Sequence, residues 1–157
     1  KAMHRLRQMN GIKVLAENII DRIGCISFYY EKVHFNLAVR ILNDYFGIQV
    51  RGGCACAGTY GHYLLEIDRE TSDKIYKGIL DGNLKMRPGW VRLSIHPTIT
   101  DAELDFILDA IDYVAKNETE LSSYYTYNPK KNIYSYNGYT ASFEQEFMDS
   151  VYGKVFD

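Results

Sequence analysis

The sequence predicts an α+β fold: a small, mostly antiparallel sheet with helices packed on one face, followed by a C-terminal tyrosine-rich tail carrying a short helix. Three observations lead there. Short runs rich in aromatic and branched residues, residues 23–30 and 90–95 foremost, fit half-buried strands. Apolar stripes at helical spacing separate them, most clearly after Thr100-Asp-Ala-Glu103. Strands and helices do not alternate as repeated βαβ units, so a parallel sheet covered on both faces is not expected.

Residues 1–11 include Ala2-Met3-His4-Arg5-Leu6-Arg7, which reads as the end of an interdomain helix already under way, so the chain is expected to be a piece of a longer protein. After the Asn10-Gly11 turn signal, residues 12–15 form a short strand and 23–30 a longer one, in which Cys25 is expected to act as a small buried apolar residue. Leu37, Ile41, Leu42, Tyr45 and Phe46 recur at helical spacing from about residue 34, and Gly47 supplies the stop. Residues 48–51 return to strand. Helices are expected over about 60–67 and 70–80, ending at Asp81-Gly82-Asn83. In the strand 90–95, Val91, Leu93 and Ile95 share one face while Arg92 and Ser94 share the other.

The capping box at Thr100 starts an amphipathic helix with Leu104, Ile107, Leu108, Ile111 and Val114 inward and Asp105, Asp109 and Asp112 outward. This division gives a folded unit over 12–116 and an extension over 117–157. The extension carries Tyr124, Tyr125, Tyr127, Tyr134, Tyr136 and Tyr139 around a Pro-Lys-Lys turn, a density that favours packing against a surface. Ser142 to Gln145 repeats the capping-box pattern, and Phe143, Phe147 and Val151 share one face of a short helix closed by Gly153.

Charge and composition exclude several classes of function. Eighteen Lys and Arg against twenty Asp and Glu give a net charge of -2 with no basic block, which argues against a nucleic-acid partner. No apolar run approaches the roughly 20 residues of a membrane span, and no signal segment opens the chain, so a cytoplasmic protein is expected. The three cysteines are expected to be reduced, since Cys54 and Cys56 stand too close in sequence for an unstrained disulfide.

The segment Arg51-Gly-Gly-Cys-Ala-Cys-Ala-Gly-Thr-Tyr-Gly61 carries the chemistry, with an arginine, two thiols and four glycines after a strand. Glycines admit close approach to a ligand, and Arg51 together with a helix starting near Tyr60 would favour the Cys56 thiolate. Cys56 is therefore the candidate nucleophile. Cys54, Cys56, His62 and His96 lack zinc-knuckle spacing, so no metal site is expected. No catalytic triad is visible, and His4 and His34 read as ordinary helix-associated histidines. Arg92, on the face of its strand away from the core, could pair a carboxylate through two parallel hydrogen bonds.

Taken in order, Arg51-Gly-Gly-Cys-Ala-Cys56, Gly89-Trp-Val-Arg-Leu-Ser-Ile-His96 and Thr-Asp-Ala-Glu-Leu-Asp-Phe-Ile107 resemble the C-terminal part of class V aminotransferase-like proteins, which include cysteine desulfurases and selenocysteine lyases. The approaches Glu31-Lys-Val-His-Phe-Asn-Leu37 and Tyr45-Phe-Gly-Ile-Gln-Val50 also fit, and the likeness covers roughly residues 12–116. It implies the small domain of a fold-type I enzyme that closes over the substrate, alone inactive and without productive pyridoxal phosphate. The Schiff-base lysine and the other cofactor-binding residues would lie upstream of Lys1. By position, Cys56 corresponds to the cysteine that takes the substrate sulfur as a persulfide, Arg92 to the arginine that binds the substrate carboxylate, and Arg51 to the arginine that begins the loop. Gly52, Cys54 and Ala55 depart from the polar residues common there. The resemblance further implies the large domain of the same protein, a homodimer of the parent and a sulfur-acceptor protein as partners. Competing readings are a cofactor-dependent aminotransferase or other β-lyase without a catalytic cysteine, and a free-standing α+β protein-interaction module.

Overall fold

A computed structural model describes residues 1–54 and 58–138. Strand alternation builds its main sheet. In β1 (Ile12–Val14), β2 (Cys25–Tyr30) and β4 (Trp90–Ser94), the residues Ile12, Val14, Ile26, Phe28, Tyr30, Val91 and Leu93 are buried. The register Ile12 to Tyr30, Val14 to Phe28, Phe28 to Val91 and Ile26 to Leu93 puts all seven on one face, because paired residues in a ladder point the same way. With β3 (Arg51–Gly53) at the edge, the order is β1-β2-β4-β3 and every pairing is antiparallel. The fold is α+β.

Three helices cover that face: α1 (Ala2–Gln8), α2 (Phe35–Phe46) and α5 (Asp101–Lys116). Leu6 from α1, Leu37, Ala38, Ile41 and Leu42 from α2, and Leu104, Leu108, Ile111 and Val114 from α5 close the core against Phe28 and Val91. His34 Nδ1 caps the start of α2 by accepting the Asn36 N–H at 3.2 Å. Gly47, at φ 66°, ends the helix, and the Ile48 N–H closes back on the Leu42 carbonyl at 2.9 Å. That closure engages Ile48 in the helix stop and the core, so pairing with β4 starts at Arg51 instead of the expected residue 48.

Cys25 corrects an expectation. It stands at the first position of β2, opposite Ser94, where alternation turns it away from the core, and it is exposed. Asp105 and Asp109 do point outward from α5, and at the surface they meet cations of the α1 segment. Arg5 Nη1 and Nη2 reach them at 3.1 and 2.6 Å, and Lys1 Nζ reaches Asp105 at 2.8 Å. The periodicity of α5 shows these carboxylates as polar, but the cations that meet them lie a hundred residues away in sequence.

The predicted capping box is present: Thr100 Oγ1 accepts the Glu103 N–H at 3.2 Å, and Glu103 Oε2 accepts the Thr100 N–H at 2.8 Å. These bonds hold the Glu103 carboxyl below its ordinary value, the Thr100 backbone contributing first. Its contribution is complete above the ordinary glutamate range and is lost as pH falls through the depressed value. Thr100→Ala should cost about 1 kcal/mol, measured as a lowered urea midpoint with unchanged slope.

Beyond α5, α6 (Glu118–Ser123) leads into a hairpin of β5 (Tyr125–Asn128) and β6 (Ile133–Tyr136). Its turn is built by Asn128, whose Oδ1 accepts the N–H groups of Lys130 and Lys131, and by Asn132 at φ 53°. Leu121 and Tyr125 join the main core, so the first part of the tyrosine-rich stretch packs on the domain. The predicted terminal helix with Phe143, Phe147 and Val151 lies outside the described residues. Among the described residues no helix is long and apolar enough to cross a membrane.

Candidate functional site

The face of the sheet away from α1, α2 and α5 brings together two of the three predicted site residues. Antiparallel register places Arg51 of β3 directly opposite Arg92 of β4, and Arg92 in turn opposite Ser27 of β2. Side chains so paired have their Cβ atoms about 4.5–5.5 Å apart and on one face. Two like charges held opposite each other destabilise a ladder. Neither guanidinium forms an ion pair among the described residues, and Arg92 Nε is buried without a hydrogen-bond partner. The arrangement therefore favours an anion, and a carboxylate suits the planar fork of each arginine.

The glycines beside this pair have a packing reason. A Cβ on Gly52 would stand 2.9 Å from Val39 Cγ2 and 3.0 Å from the Phe35 ring, so only glycine lets β3 lie this close to α2. Gly53 sits at φ +113°, which side chains rarely adopt. Sequence reasoning read these glycines as room for a ligand; they first make room for α2.

Cys54 follows at the exit of β3. Its thiol donates to the carbonyl of Pro88, and burial pushes its pKa up against a smaller opposing effect of Arg87. The thiol is thus held protonated in the segment leading to β4. A Cβ on Gly61 of α3 (Gly58–Leu64) would lie 3.7 Å from its sulfur and 3.5 Å from the Trp90 ring, so α3 packs over this corner. Cys54 consequently has a structural contact and little thiolate character. Cys56, the predicted nucleophile, lies outside the described residues.

The two other thiols can be separated by reactivity. In the folded chain, Cys25 should be alkylated well before Cys54, as read by the mass of the peptides that carry them; equal labelling rates would contradict the part-buried, protonated state of Cys54.

Two of the histidines are engaged by neighbouring hydroxyl groups. His96 Nδ1 faces Thr98 Oγ1 at 2.7 Å in an exposed turn, and His62 Nε2 faces Ser72 Oγ at 3.3 Å beside α4 (Arg69–Leu80). Among the described residues no group of three or more His, Cys, Asp or Glu side chains comes together as a metal site. His34 is kept toward its neutral form by burial first and by the Lys85 charge second. It borders a cleft of about 270 Å³ with Tyr29, Arg87 and Gly89, which sequence reasoning did not identify because its walls come from distant segments.

Pyridoxal phosphate needs a lysine desolvated enough to form a Schiff base. Every lysine among the described residues is exposed, and Lys1, Lys13, Lys74 and Lys116 are paired with carboxylates. The described residues do not fit that cofactor by themselves. Neither a protein-family model nor a curated protein matches the chain.

Proposed function

We propose that this chain is the substrate-closing C-terminal small domain of a cytoplasmic, pyridoxal-phosphate-dependent enzyme of the class V aminotransferase type, acting as a cysteine desulfurase or selenocysteine lyase. The observation that supports it is the cross-strand pairing of Arg51 with Arg92 on the face free of the core helices, at the start of the glycine-cysteine segment. That pair offers two forked cations to a carboxylate, a group every free amino acid carries. The cofactor and its lysine belong to the large domain of the same protein, and a second copy and a sulfur acceptor complete the set of partners.

In this reading Arg92 and Arg51 hold the substrate carboxylate while the Cys56 thiolate attacks the substrate sulfur. An S–S bond forms, the substrate Cβ–S bond breaks, and its electron pair takes up a proton to leave alanine. Cys54 takes no part, because its proton is held toward Pro88. The test is product analysis of the polypeptide that joins this chain to its large domain. Alanine with protein-bound sulfur supports the proposal. A keto acid in place of alanine would instead assign transamination or β-elimination and overturn it.

A further inference from the structure

The tyrosines left unused by this reading gather where α2 ends. Tyr45 of α2, Tyr125 of β5 and Tyr136 of β6 line a cavity of about 560 Å³ together with Arg40 and Asp44. Tyr125 forms its floor, only 7% exposed, with its hydroxyl donating to Asp44 Oδ2 at 3.1 Å and its ring edge-on to Tyr136 at 5.6 Å. Tyr45 and Tyr136 are 45% and 39% exposed, so their rings remain available to a ligand. Glu120 stands beside the same group, engaged by the Tyr124 hydroxyl at 3.3 Å.

The electrostatics favour a cation. Asp44 is paired with the guanidinium of Arg40, whose Nε lies 3.3 Å from Asp44 Oδ2, while Glu120 forms no ion pair among the described residues. Asp44 also occupies the last turn of α2, at the negative end of the helix dipole, and no basic residue stands in that turn. Arg40 precedes Asp44 by four residues, the weaker orientation for a helical ion pair. Excess negative charge among tyrosine rings is the environment in which an organic cation binds, through ring faces that a hydrated sodium ion cannot use well.

We propose that Tyr45, Tyr125 and Tyr136 form an aromatic cage for the head group of a small alkylammonium compound. The cage does not rest on the desulfurase reading. Its test is titration of the full chain with tetramethylammonium chloride against sodium chloride at equal ionic strength, following tyrosine ring resonances by NMR. The cage predicts a saturable shift with tetramethylammonium alone, and a half-saturation concentration raised about two- to fivefold in Tyr136→Leu and in Tyr45→Leu. Both positions are exposed enough to substitute without opening the core, and Glu120→Gln, on an exposed side chain, should weaken binding in the same direction. Shifts that stay linear and match those from sodium chloride would overturn the proposal, as would identical half-saturation in all variants.

Discussion

Phe28→Ala lowers the stability of the chain by about 3–5 kcal/mol. Phe28 is fully buried at the centre of β2, with Val14 opposite it on one neighbouring strand and Val91 on the other. Removing its ring takes apolar surface from the joint between the sheet and the helices that cover it. Val91, Leu108 and Ile111 are themselves fully buried, so the surrounding residues have little freedom to collapse into the space. For a domain whose total stability is of the order of 5–15 kcal/mol, such a loss leaves little margin. Urea unfolding followed by circular dichroism should show a strongly lowered midpoint, and a loss below about 1 kcal/mol would mean that the sheet and helices do not share this core.

The second large effect separates binding from stability at the arginine pair. If the proposed function holds, Arg92→Lys in the polypeptide that joins this chain to its large domain should raise KM for the amino acid about ten- to a hundredfold with kcat much less affected. A charge-assisted hydrogen bond contributes about 1.5–3 kcal/mol, and lysine cannot reproduce the two-pronged geometry. In the isolated chain, Arg51→Gln should have the opposite sign for folding, a gain of about 0.2–1 kcal/mol from relieved repulsion across the β3 to β4 ladder. A residue retained only for structure would not give a variant that folds better and binds worse. If Arg51→Gln destabilises the chain and leaves KM unchanged, the pair is not a carboxylate site.

The strands β1, β2 and β4 and the helices α2 and α5 were legible in the sequence because burial there follows one period at a time. Val91 and Leu93 against Arg92 and Ser94 is a two-residue alternation, and Leu104, Leu108 and Ile111 form a helical stripe. What alternation does not encode is which strand lies beside which. Arg51 and Arg92 could each be identified as carboxylate-binding candidates, yet their direct opposition depends on β3 pairing with β4 in one register. Cys25 was misread for a related reason: an apolar-looking run does not say which of its positions faces the core. The hairpin of β5 and β6 was hidden by its mixture of tyrosine with polar residues, although Asn128 and the Pro-Lys-Lys turn beside it mark the reversal. The polar cap of Cys54 on Pro88 joins segments 34 residues apart and has no local signature.

The proposed function requires the Cys56 thiol to accept sulfur from an amino acid held by Arg92. Fragmentation mass spectrometry of the peptide containing Cys54 and Cys56 tests this, after cysteine is given to a polypeptide that joins this chain to the proposed large domain. The expected result is one added sulfur on Cys56, none on Cys54, alanine in equal amount, and loss of both the added sulfur and the alanine in Cys56→Ser. Added sulfur on Cys54 or alanine formation unchanged in Cys56→Ser would contradict it.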